Sequence, residues 1–195
     1  MLRYLFTYSS QFLFLIFTQL AMGQTSTVFG NNAMAKDCFL ASQIAATTGY
    51  SSQRDLDNCN DAILQGNLNS RDVVATYVNR GIIKVALSDI TGGMADYETA
   101  LKLRPNDAAE AYVNRANLRL LAKQYNLAID DYNKALEMEV SKPHIAVLNL
   151  GLAYEYLGDL SEAKKHYQQA LETVPEWSVA IEKLARVNRK LGNAE

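Results

Sequence analysis

Tyr77-Val78-Asn79-Arg80-Gly81 returns as Tyr112-Val113-Asn114-Arg115-Ala116, and a fainter copy stands at Val147-Leu148-Asn149-Leu150-Gly151. The offset is 35 residues each time (112 − 77 and 147 − 112). Other positions keep the same interval: Gly93, Ala128 and Ala163; Tyr97, Tyr132 and Tyr167; Ala100, Ala135 and Ala170. A fixed period of this size marks a stacked repeat protein, in which each unit buries its apolar face against its neighbours. The 12 residues from Gly81 to Gly93 leave room for two helices and a tight turn. Small side chains at both places let antiparallel helices approach, and the tyrosines fill the adjoining space. Turns are predicted at Gly92-Gly93, Lys123-Gln124 and Gly158-Asp159. Pro105 and Pro175 are expected to end the second helices of units one and three. In unit two the matching place is Val140, and Pro143 comes three residues later.

These registers resemble the tetratricopeptide repeat family, whose pattern is W-x2-L-G-x2-Y, then A-x3-F, then P. Unit three carries Val147, Leu150, Gly151, Tyr154, Ala163, Tyr167 and Pro175 at those places. Units one and two put Tyr77 and Tyr112 at the Trp place, Arg80 and Arg115 at the Leu place, and Lys84 and Arg119 at the Tyr place. The resemblance runs from Asp72 to Pro175. It implies an all-α solenoid of stacked helical hairpins, with units at 72–105, 107–140 and 142–175. Residues 33–70 read as a degenerate opening hairpin, with helices over Ala33 to Thr47 and Ser52 to Gln65. Residues 176–191 read as a capping helix with Trp177, Ile181, Leu184 and Val187 at helical spacing.

The first 23 residues differ from the rest. Arg3 is their one charge, an apolar run Phe12 to Phe17 follows, and Ala21-Met22-Gly23 offers small residues where a signal peptidase cuts. Residues 1–23 therefore read as an export signal, with a disordered tail expected over 24–32 and a periplasmic or secreted destination. The lesser alternative is an uncleaved anchor, although the apolar block is short of the roughly 20 residues a span needs. Cleavage after Gly23 would leave 18 basic and 21 acidic residues, a net charge of 18 − 21 = −3. A chain this close to neutral carries no phosphate-neutralising face, which argues against nucleic acid.

Cys38 and Cys59 are the only cysteines. In an exported chain an even pair favours a disulfide over a thiol catalyst. The opening hairpin turns near residues 48–51, which puts both cysteines at similar heights on antiparallel helices. The other reading makes them two small buried hydrophobes.

Arg80 and Arg115 are each followed 16 residues later by an acid, Asp96 and Asp131. In unit three Leu150 replaces Arg and His166 replaces Asp, so the two charges appear and vanish together. An inter-helix ion pair explains this, because the Arg fork meets a carboxylate bidentately while its stem covers apolar surface. The asparagines behave differently. Asn79, Asn114 and Asn149 persist in all three units. In the family this place lines the concave groove, where a carboxamide offers a donor and an acceptor to an extended peptide backbone. Val78, Ile82, Val113, Asn117, Leu148, Leu152 and Tyr156 would complete a groove more apolar than charged. The alternative is that the asparagines brace neighbouring helices.

No metal-ligand set, phosphate-cradling loop or nucleophile motif accompanies His144 and His166. Neither cofactor nor catalysis is expected. The expected partner is a protein or peptide held in the groove, in an adaptor or scaffold role. The competing expectation is a structural subunit of an envelope or secretion assembly, packing through its terminal helices. The sequence leaves the oligomeric state open.

Overall fold

The computed structural model describes residues 23–192, and the stretch before Gly23, on which the expectation of an export signal falls, lies outside them. Among the described residues every regular element is a helix: α1 (Ala33–Thr48), α2 (Gln53–Gln65), α3 (Ser70–Ala86), α4 (Ile90–Leu103), α5 (Ala109–Leu121), α6 (Tyr125–Glu137), α7 (Pro143–Leu157), α8 (Leu160–Thr173) and α9 (Ser178–Gly192). Successive helices pack as hairpins, α1 with α2, α3 with α4, α5 with α6 and α7 with α8, and each hairpin packs on the next.

Local chemistry sets the boundaries. Asn32, Ser52, Asn69, Asp89 and Asp159 each accept a first-turn backbone N–H at an N-cap. Arg104 and Val174, the residues before Pro105 and Pro175, have left helical geometry at φ −145° and −135°. Pro143 does the opposite of ending a helix. It occupies the first turn of α7, where its missing N–H costs nothing.

One predicted turn is displaced. Gly92 and Gly93 lie inside α4, and the chain reverses at residues 87–89. Ser88 (φ 69°), Lys123 (φ 60°) and Gly158 (φ 95°) stand at left-handed geometry 35 residues apart, so the period locates the turn better than the glycine doublet does. The Asp89 carboxylate caps the Gly92 N–H at 2.8 Å. Gly93 instead serves close approach, since a Cβ there would come within 2.9 Å of the Gly81 carbonyl. Gly151 has the same use, because a Cβ would stand 2.8 Å from the Tyr167 ring.

Among the described residues, three of the four clusters of buried side chains follow the stack. Cys38, Cys59, Val78 and Tyr97 belong to the first, Val113, Tyr132 and Leu152 to the second, and Leu148, Tyr167 and Val187 to the third. On α9 the buried stripe includes Ala180 and Val187, with Trp177, Leu184 and Leu191 packed beside them. Ile181, expected on that stripe, is 48% exposed. The stripe follows spacings of three and four from Trp177 through Ala180, which turns Ile181 outward.

Candidate peptide-binding groove

Arg80 and Asp96 form a fork. Arg80 Nε and Nη2 donate to Asp96 Oδ2 and Oδ1 at 2.9 and 2.7 Å, and Lys84 Nζ adds a contact at 2.9 Å. Unit two repeats the arrangement with Arg115 on Asp131 at 2.9 and 2.7 Å and Arg119 on Asp131 at 2.7 Å. The residues that depart from the family pattern thus converge on one buried carboxylate per unit. Tyr77 and Tyr112 lie under the two guanidiniums at 5.1 and 5.4 Å. Unit three fills the same space with buried Leu150 and with Tyr154 stacked on His166 at 5.4 Å. Its carboxylate comes from Glu155, held by Arg186 Nε and Nη2 (2.9 and 2.7 Å), Lys190 Nζ (2.8 Å) and the Tyr167 hydroxyl (2.8 Å). Burial would raise the Glu155 carboxyl, but these hydrogen bonds outweigh it and hold its pKa at about 2.

Cys38 and Cys59 form a disulfide with a Cα–Cα distance of 4.9 Å, joining α1 to α2.

The segment expected to be disordered is extended and held along its length. From Gln24 to Phe29, Gln24, Ser26 and Val28 are buried while Thr27 and Phe29 are exposed, the period-two pattern of a half-covered strand. It runs across the first helices of the units. Gln24 N–H donates to Asn114 Oδ1 at 2.8 Å, and Asn114 Nδ2 donates to the Gln24 carbonyl at 2.9 Å. Ser26 N–H donates to Asn79 Oδ1 at 3.0 Å, and Asn79 Nδ2 donates to the Ser26 carbonyl at 2.8 Å. Alternate residues of a strand are about 6.5–7 Å apart. Two asparagines one repeat apart therefore hold every second residue through both of its backbone groups.

The ends are secured as well. The Gln24 carboxamide pairs with the Lys142 backbone, donating from Nε2 to the carbonyl at 3.1 Å and accepting from the N–H at 3.3 Å. Phe29 and Gly30 N–H donate to the two carboxylate oxygens of Asp72 at 2.8 Å each. Val28 packs with Ala35, Ala62 and Ala75, and the Ser26 hydroxyl lies 3.4 Å from Glu110 Oε2.

The other expected groove residues separate. Ile82 borders the segment, since a Cβ on Gly23 would lie 3.4 Å from its Cγ1. Val78, Val113, Leu148 and Leu152 are buried in the core clusters. Asn149 Nδ2 donates to Asn117 Oδ1 at 3.0 Å, and Asn117 also accepts the Tyr132 hydroxyl at 2.6 Å, so the two carboxamides brace units two and three. Tyr156 stacks on Tyr125 at 5.7 Å and is half-exposed. Asp72, Glu110 and Lys142 were missed. Asp72 reads in sequence as an ordinary first-turn acid, and the contact at Lys142 is a main-chain one that no side-chain pattern reports. The segment itself left a faint signal, because Thr25, Thr27 and Val28 are β-branched and favour extended backbone.

Among the described residues no group of three or more His, Cys, Asp or Glu could hold a metal ion, and no helix is long and apolar enough to cross a membrane.

No curated protein matches the chain. Among solved structures, MamA (residues 41 to the end) from Desulfovibrio magneticus RS-1 is 23% identical, with a TM-score of 0.65 over 84% of this chain and 88% of that one. The first TPR of Spaghetti (RPAP3), bound to HSP90 peptide SRMEEVD, is 23% identical, with a TM-score of 0.57 over 61% of this chain and 93% of that one. The first TPR domain of human RPAP3, solved by NMR, is 22% identical with a TM-score of 0.57, over 62% and 93%. These likenesses concern the fold. Family models for the tetratricopeptide repeat match residues 78–141 and 146–176, and with the three 35-residue units they show that this part of the chain is built of tetratricopeptide repeats.

Proposed function

We propose that this chain is an exported protein-interaction module that binds an extended peptide segment across the first helices of its repeats, as an adaptor or scaffold. The observation that carries the reading is the pair of carboxamides, Asn79 and Asn114, each bonding both backbone groups of alternate residues in an extended chain. Such bonds read conformation and leave side-chain choice to the flanking pockets. The RPAP3 neighbour is bound to an HSP90 peptide, which supports peptide capture by this architecture. An acidic C-terminal ligand suits this chain poorly. Val78 and Ile82 stand where carboxylate-holding repeats of the family need Lys and Asn, and Asp72 and Glu110 add like charge beside the bound segment. Export is supported by the Cys38–Cys59 disulfide, which persists in an oxidising compartment. Cleavage after Gly23 would leave Gln24 to Gly30 whole. No catalytic role is proposed.

The test is affinity capture with the chain and with its Asn79→Ala/Asn114→Ala variant. Partners identified by mass spectrometry should be lost with the variant while helical content is retained. Equal recovery would move the site to another face. The reading as an assembly subunit draws on exposed Leu40, Ile44 and Leu64 of the opening hairpin. A mass that rises with concentration in light scattering would favour it.

A further inference from the structure

The groove is already filled by the chain's own residues, and the filling is specific in its side chains as well as its backbone. Gln24 places a carboxamide against the Lys142 peptide unit, donor to acceptor and acceptor to donor, and Ser141 Oγ lies 3.4 Å from its Oε1. A glutamate there would lose the donor and set a carboxylate against a carbonyl. Ser26 sits beside Glu110, where a small hydroxyl can donate to the carboxylate and a second acid would be repelled. Val28 packs among Ala35, Ala62 and Ala75 with Phe39 and Leu68 beside them, apolar surroundings that suit an aliphatic side chain and would penalise a polar one. Asp72 then takes two consecutive N–H groups, and the second belongs to Gly30, where a Cβ would collide with Asp72 Oδ2.

Resting on the peptide-groove reading above, we propose that residues Gln24 to Gly30 are a tethered competitor, and that the partner segment they exclude shares their chemistry. That partner is an uncharged extended segment carrying Gln, then a small hydroxyl residue two places on, then an aliphatic residue two further. The occupant belongs to the same copy. Asn32, two residues after Gly30, caps α1 at Ala35 and donates to the Gly66 carbonyl at 2.9 Å, which fixes the connection on this hairpin. A groove filled by its own tail about 90–99% of the time binds a free segment about 10–100 times more weakly than the open groove.

The probe is a fluorescein-labelled peptide spanning residues 24–31, acetylated at its amino end, titrated against the full chain by fluorescence anisotropy. In the full chain Ser26→Pro removes the N–H that Asn79 accepts and leaves the repeats untouched. Gln24→Glu, which keeps every backbone donor, is the second variant. Both should bind the peptide roughly tenfold or more tightly than the unaltered chain. Amide exchange at Phe29 and Gly30, whose N–H groups Asp72 accepts, should be slow in the unaltered chain and fast in Ser26→Pro. A peptide with Glu in place of its Gln should bind Ser26→Pro roughly tenfold more weakly. Equal affinity of the unaltered chain and both variants overturns the competition, while Asn-dependent capture of a partner would leave the groove reading standing. Failure of the peptide to bind either variant overturns the ligand chemistry, and failure of capture as well removes the groove reading. A dimer that Ser26→Pro makes monomeric would place the segment in a second copy and overturn competition within one chain.

Discussion

Asp96 is 3% exposed and meets two cations, so its ion pair differs in kind from a surface contact. Removing one partner leaves buried charge without its match, whereas exchanging the whole set for packed apolar groups can be neutral or better. Unit three already displays that exchange in Leu150, Tyr154 and His166. Arg80→Leu alone should therefore cost about 2–4 kcal/mol, and a double-mutant cycle with Asp96→Leu should return a coupling of about 1–3 kcal/mol in urea unfolding. The triple change Arg80→Leu/Lys84→Tyr/Asp96→His should cost less than the single one. Glu155 sets a pH dependence. Its pKa is lowered from the ordinary carboxyl range to about 2, so its contribution is fully present above roughly pH 4.5 and is lost as pH falls toward 2. On that shift the contribution is at most about 3 kcal/mol, and solvent screening of the partly exposed Arg186 and Lys190 lowers it. The stability gap between the unaltered chain and Glu155→Gln should narrow strongly between pH 6 and pH 2.5 in denaturant titrations.

At the scale of helices and hairpins, the weakest unit is the one that carries the covalent link. The opening hairpin departs most from the repeat pattern and exposes several large apolar side chains, and the Cys38–Cys59 bond closes its loop. On the chain-entropy account a loop of this size contributes about 3 kcal/mol. Cys38→Ala/Cys59→Ala should lower stability by about that amount, with faster amide exchange in α1 and α2 and little change in α5 to α8, because repeat units couple mainly to their neighbours. The turns invite a milder test. Lys123 holds left-handed geometry that Gly158 adopts without strain, so Lys123→Gly should be neutral or raise stability by up to about 1 kcal/mol in thermal unfolding. Helix pairing was legible in the sequence because Gly81, Gly93 and Tyr97 recur with their spacing intact. The displaced turn shows what composition hides: Gly92-Gly93 looks like a break, yet the Asp89 side chain caps Gly92 and keeps both glycines helical. Ile181 was misplaced for a similar reason, since several apolar residues on a short helix fit more than one stripe.

For the molecule as a whole, the recurrence of Asn79, Asn114 and Asn149 was legible, while the extended segment that meets the first two, and the bracing contact of the third with Asn117, were not. Asn79 and Asn114 could be singled out because internal copies separate what packing requires from what persists. Residues 24–30 carry no helical period, and nothing local to them announces partners on helices far along the chain. If these carboxamides hold the segment, Asn79→Ala/Asn114→Ala should leave the helical signal in circular dichroism unchanged while the amide of Ser26 exchanges freely. The direction of the segment has a consequence for biogenesis. Its amino end rests on the third unit and its carboxyl end on the first, with partners 90 residues away at Asn114 and 118 away at Lys142. The ribosome makes this segment before any of the helices that hold it, so it cannot be fully seated until residue 142, nearly three quarters of the way along the 195-residue chain, has been made. Its seating is then a late step of folding, and a chain interrupted after unit two would lack the Lys142 backbone that reads Gln24.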